Sequence, residues 1–287
     1  MRTIFYNDNE KRFRAGWRIL ITTMLAFSIL ILLAAFIPWQ LGFQVVLAAA
    51  VLLVLFFASK NIDKRSFHEF GFELNQSWFK DFLAGNGMAI IAMGAIVLFA
   101  RQMGWFTLVG VDFTLFEPKF LIGLFSSLLF MIAVSVWEEA YFRSYLITNI
   151  KEGMQFNRLD NRIPIVIAVL LSSFIFGFAH ITNPNASVIS SLNITLAGIV
   201  LAYPYIVTKS IAIPVGMHLS WNYFQGVVFG LPVSGQPLEP SILRFETPGP
   251  EIYTGGNFGP EAGIIGLLGL IFMWSLSYFY IVRFYKK

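Results

Sequence analysis

The sequence predicts an all-α, polytopic membrane helix bundle of about eight transmembrane helices, and three observations predict it. Of 287 residues, 57% are hydrophobic and 13% charged, with a mean hydropathy of +0.70, where a soluble domain is about half apolar and about a quarter charged. Eight apolar runs approach the roughly 20 residues that a helix needs to cross a bilayer. Lys and Arg are divided unevenly between the loops that join those runs, as orientation in a membrane requires.

The expected spans are Trp17–Ile37, Gly42–Ala58, Asp81–Ala100, Phe120–Ile147, Ile163–Ile181, Val188–Val207, Ile211–Phe229 and Ala262–Val282, in a single transmembrane domain covering 1–287. Mostly polar residues precede the first run, which is itself long enough to span, so it reads as a retained helix and not as a cleaved signal peptide. Pro38-Trp39-Gln40-Leu41 alone joins the first two spans, which makes them a tight helical hairpin. With the N-terminus inside, the inner segments collect Arg2, Lys11, Arg12, Arg14 and Arg18, then Lys60, Lys64, Arg65 and Lys80, then Lys151, Arg158, Arg162 and Lys209, and finally Arg283, Lys286 and Lys287. Only Arg101, Lys119 and Arg244 fall outside. Both termini are therefore expected in the cytoplasm.

Two loops are long. Lys60–Lys80 contains Ser66-Phe67-His68-Glu69-Phe70-Gly71-Phe72, expected to be a short interfacial amphipathic turn with a solvated His68. Gly230–Glu261, rich in Pro and Gly, is expected to be an irregular outer loop that caps the bundle. Trp17, Trp39, Trp105, Tyr278 and Tyr280 lie near span ends and read as interface anchors. Cysteine is absent, which removes disulfides, thiol nucleophiles and thiolate metal sites. The net charge of +4 belongs to orientation and to contact with anionic lipid, and points to no nucleic-acid partner.

Ionisable groups inside apolar segments are costly, about 2.5–3.5 kcal/mol each on insertion scales, and usually have a function. The fourth span carries Glu138, Glu139 and Arg143, the fifth His180, and the seventh His218 with Asn222. Glu139 and Arg143 are four apart, on one helix face with the acid first, the better orientation for an ion pair. Glu138 is rotated by about 100° from Glu139 and points elsewhere. A carboxylate left free in such a place is suited to taking a proton from water. His218 and Asn222 share a face of their helix. An imidazole can serve as base, metal ligand or oxyanion donor, and an amide can orient it or add a donor. Gly177 and Ala179, flanking Phe178 before His180, are small enough for a neighbouring helix to approach closely. Each group alone also has a structural reading, as an ion-pair lock or an interhelical hydrogen bond. Two of the chain's three histidines lie in apolar segments downstream of the double carboxylate.

Three stretches resemble the motifs of one membrane-protease family, the CPBP or Abi family of CAAX prenyl proteases and bacteriocin-processing enzymes. They are Glu138-Glu139-Ala140-Tyr141-Phe142-Arg143, Phe176-Gly177-Phe178-Ala179-His180 and His218-Leu219-Ser220-Trp221-Asn222. The motif-bearing core is 120–229, and Thr254–Glu261 is similar to a glycine-rich segment of bacterial members, which implies a bacterial cell membrane. The resemblance implies an intramembrane endopeptidase acting on a membrane-associated peptide or protein, either a lipidated C-terminal tail or a peptide precursor. It implies that Glu138, helped by His180, activates water, that His218 and Asn222 stabilise the oxyanion, and that Glu139 and Arg143 hold the fourth helix. It also implies a divalent metal such as zinc on Glu138, His180 and His218, or a metal-free glutamate mechanism. The HExxH spacing of common zinc proteases is absent.

Counting residues along the predicted spans places His180 outward of Glu138 by up to about 15 Å, so a shared site needs a tilted or recessed fifth helix. The same ionisable residues would also serve a proton-coupled transporter, although no internal repeat supports one. A catalytically silent membrane scaffold or immunity protein is the third reading.

Overall fold

Seven helices are long and apolar enough to cross a bilayer among the described residues, and they make this an integral membrane protein. The computed structural model describes residues 2–37, 40–112, 117–155, 160 and 162–285. Pro38 and Trp39 of the expected hairpin, and Arg158, Lys286 and Lys287 of the expected inner charges, lie outside the described residues. The helices are α1 (Ala15–Phe36), α2 (Gln40–Asn61), α3 (Gln76–Gln102), α4 (Pro118–Gly153), α5 (Arg162–Ala179), α6 (Val188–Thr208), α7 (Ala212–Tyr223) and α8 (Ile264–Phe284). All but α7 have spanning length.

The seventh expected span is shorter than its hydropathy implies. Ala212–Tyr223 is α-helical, and Phe224–Val228 continues it with π winding. Every residue from Ala212 to Trp221 is buried. A helix apolar on all sides belongs inside a bundle, so α7 is a central post sheathed by its neighbours. Glycine makes that fit possible: a Cβ on Gly216 would come 2.9 Å from the Asn86 backbone nitrogen of α3, and one on Gly85 would meet the Ile213 backbone. Ser220 Oγ donates to Asn86 Oδ1 at 2.5 Å and fixes α7 on α3.

The fourth expected span is longer than its hydropathy implies. Pro118 opens α4 at its first turn, where a missing N–H costs nothing. The winding changes to π over Glu139–Leu146 and returns to α over Ile147–Gly153. A π segment leaves carbonyls without their usual partners, and side chains of a neighbouring helix and of α4 itself answer them. Ser172 Oγ of α5 donates to Phe142 O at 2.5 Å, and Asn149 Nδ2 donates to Tyr145 O at 3.1 Å.

Two small ribbons depart from an all-helical reading. Strands β1 (Tyr6–Asn7) and β2 (Arg12–Phe13) pair before α1. Strand β3 (Thr107–Val111) pairs antiparallel with β4 (Leu243–Glu246), with a bulge between Leu108 and Gly110. The 230–261 segment is thus not wholly irregular: it holds β4 and short helical turns at Glu251–Thr254, Gly256–Phe258 and Pro260–Ala262. Ser66–Gly71 is the expected turn, a 3-10 helix over Phe67–Phe70 closed by a Ser66/Glu69 capping box, with His68 exposed.

Opposite the 230–261 segment, an ion network binds the N-terminal ribbon to the bundle. Glu152 at the end of α4 receives Arg12 at 2.9 Å, Arg65 at 2.5 Å and Arg18, while Arg18 also reaches Asp63 at 3.3 Å. Burial pushes the Asp63 carboxyl above its ordinary range, against the pull of Arg18 and Arg65.

Gly177 brings α5 against α6. A Cβ there would lie 2.9 Å from Thr195 N and nearer still to Thr195 Oγ1 and Ser191 O. Gly177→Val is expected to cost about 1–3 kcal/mol through overpacking, read as a lower melting temperature in detergent. A variant that melts with the wild type would show that the helices separate without penalty.

Candidate active site

The site lies where the two apolar clusters of the bundle meet. One contains Phe142 and Phe176, the other Met217, Trp221 and Met273, and all five line one cavity of about 310 Å³. Glu138, His180, His218 and Asn222 line the same cavity. The expected mismatch in depth has a simple cause. At 36 residues α4 is about 54 Å long, well beyond a hydrocarbon core of about 30 Å, so counting from its ends does not fix the level of Glu138.

The three motifs interlock through particular atoms. Glu139 Oε2 pairs with Arg143 Nε at 3.1 Å, and both side chains are fully buried. The Arg143 guanidinium lies over the Phe176 ring, 4.0 Å from its centroid, so the aromatic of the second motif carries the cation of the first. Glu139 Oε1 takes a hydrogen bond from His218 Nδ1 at 2.9 Å. Glu139 therefore does more than pair with Arg143: it reaches the third motif and orients its imidazole.

These contacts fix tautomers. A carboxylate neutralised by Arg143 only accepts, so His218 Nδ1 carries hydrogen and its Nε2 faces Glu138 Oε2 at 3.7 Å. A carbonyl also only accepts, so His180 Nδ1, 2.8 Å from Phe176 O, carries hydrogen and leaves Nε2 with its lone pair. Glu138 is 8% exposed, and its Oε2 has no hydrogen-bond partner among the described residues. It is the acceptor left over for chemistry in the cavity. Asn222, one turn beyond His218, adds an amide to the same wall.

Glu138, His180 and His218 share the cavity, yet no three His, Asp or Glu side chains among the described residues converge closely enough to hold a metal ion. The donor geometry does not fit a three-ligand centre, and no step below passes through one.

The sequence reading did not find one further carboxyl. Glu261, just before α8, lines the cavity as well. Its Oε2 accepts from Gln225 Nε2 at 2.7 Å and its Oε1 from Ser234 N at 3.2 Å. Its carbonyl accepts from Asn193 Nδ2 at 2.9 Å. Burial pushes its carboxyl up to about 7, against the lowering effect of the Gln225 hydrogen bond. Gln225 falls seven residues after His218, hence on the same helix face, and this period was the available signal.

Residues 120–224 match the model of a family described as Type II CAAX prenyl endopeptidase Rce1-like. The matched segment contains Glu138, Glu139, Arg143, His180, His218 and Asn222, and it bears out the resemblance read from the three motifs. The match supports a membrane endopeptidase. No curated protein and no solved structure is significantly similar to the chain.

Proposed function

We propose that this chain is an intramembrane endopeptidase that hydrolyses a peptide bond of a membrane-associated substrate with water activated by Glu138. The observation that supports it most is the buried Glu138 Oε2, without a hydrogen-bond partner among the described residues, in a cavity shared with His180, His218 and Asn222. In this reading Glu138 takes a proton from water, and the lone pair of His180 Nε2 holds that water. The hydroxide attacks the peptide carbonyl carbon, and the carbonyl electrons move to oxygen. Asn222 donates its amide hydrogen to the oxyanion. His218 donates as well when its imidazole has taken a proton from bulk water before the attack, and the ionised Glu139 at its Nδ1 stabilises that imidazolium. Collapse breaks the C–N bond, and Glu138 passes its proton to the leaving amine. The substrate is a lipidated tail or a peptide precursor, and the basic end of the bundle is cytoplasmic.

The test is cleavage of a membrane-peptide library by purified protein in liposomes, in water enriched with oxygen-18. One heavy oxygen in the new carboxylate after a single turnover is expected, with activity that survives chelators and carries no stoichiometric zinc. A proton-coupled transporter would acidify the liposomes and leave every peptide whole, which would end the protease reading.

A further inference from the structure

The charge of the cavity wall says which part of a peptide it accepts. Two carboxyl groups face the cavity, Glu138 and Glu261, beside the imidazoles of His180 and His218, and no Lys or Arg lines it among the described residues. Arg143 does not line the cavity: it is fully buried behind Glu139, which pairs with it, and the ring of Phe176. No Lys or Arg pairs with Glu261 in the cavity wall among the described residues. Its oxygens are held by the neutral amide of Gln225 and by the backbone of Ser234, so it is fixed in the wall and cannot swing away. The Glu138 Oε2, buried and without a hydrogen-bond partner among the described residues, points to a hydrogen-donating ligand. Asn183 and Gln236 line the cavity as well, and Asn183 Nδ2 donates at 3.1 Å to the carbonyl of Ser234, whose N–H holds Glu261.

A charge that enters a poorly hydrated cavity interacts strongly with every fixed charge in the wall. From this wall we infer that Glu261 is a specificity-determining residue that excludes a substrate carboxylate from the cavity, so that the enzyme cuts internal bonds flanked by neutral or basic residues and not bonds a few residues from a free C-terminus. The inference rests on the proteolytic reading and narrows it: a peptide precursor cut in mid-chain fits the cavity better than a tail ending in a free carboxylate.

The experiment takes the library peptide cut fastest by the wild type and shortens it to end shortly after the scissile bond. It is made as the free acid, as the C-terminal amide, and as an amide ending in lysine. At pH 8 Glu261 is mostly ionised, since its carboxyl titrates at about 7. The two amides are expected to exceed the acid in kcat/KM by about tenfold or more. Glu261→Gln is expected to shrink that ratio to within about threefold. Equal cleavage of acid and amide by the wild type overturns the proposal, and so does an unchanged ratio in a folded Glu261→Gln protein. If that variant does not fold, the wild-type ratio decides alone. If the wild type cuts no peptide, the protease reading falls, and charge selection is read from binding of N-octanoyl Ala-Leu-Val as acid and as amide. Quenching of Trp137 and Trp221 in the cavity wall reports it. Weaker binding of the acid by about tenfold supports the inference, and equal binding ends it.

Discussion

Glu138→Gln is expected to lower peptide cleavage by about 10²–10⁴-fold, the usual worth of a positioned general base, while the protein folds normally. The two halves of that expectation have separate causes. Glutamine keeps the shape of the side chain, so the cavity walls formed by Phe142, Phe176 and Trp221 keep their packing. It cannot accept a proton from water, so attack on the carbonyl loses its driving group. The native Oε2 is buried without a hydrogen-bond partner among the described residues, and a neutral amide costs less to bury than a carboxylate. The variant should therefore melt at or slightly above the wild-type temperature, which separates it from a variant that fails by unfolding. Rates are compared on one library peptide, with melting followed in the same detergent. Cleavage within tenfold of wild type would remove Glu138 as the base, whatever the melting curve shows.

How much of this could be read before the structure varies with the kind of signal. The apolar runs and the i, i+4 pairs depend on local periodicity, and both were legible: α1, α2, α3, α5, α6 and α8 lie within a few residues of the expected spans, and Glu139 does pair with Arg143. Hydropathy could not distinguish a helix facing lipid from one enclosed by protein, because both are apolar, so α7 read as an ordinary span. Nor could it follow a helix past its apolar stretch, so α4 read short and left Glu138 and His180 at different depths. The roles that depend on tertiary contact were out of reach. Nothing local says that Phe176 supports Arg143, that Glu139 holds His218, or that Glu261 returns to the cavity after a long segment of Pro and Gly. The short strand β4 was hidden for the same reason, since its partner β3 lies far away in sequence.

The largest loss of stability is expected at Arg143. Arg143→Met removes the cation that neutralises Glu139 inside the bundle, where both side chains are fully buried. An uncompensated buried carboxylate typically costs about 3–5 kcal/mol, and here the stacking of the guanidinium on Phe176 goes as well. Low yield and a sharply lowered melting temperature are the expected readings. Arg143→Lys should recover only part of the loss, because an ammonium keeps the charge but lacks the planar surface that lies on the ring. The informative comparison is the double change Glu139→Gln with Arg143→Met, which removes both charges together. Replacing a whole buried pair by neutral groups is often close to neutral for stability, so folding should return. Activity should not, because His218 Nδ1 then donates to an amide oxygen and its imidazolium loses the ionised partner that favours it. A double variant that folds and cleaves like the wild type would make the pair a lock and nothing more. One that folds and stays slow assigns Glu139 to the orientation of His218, and through it ties the ion pair to the chemistry.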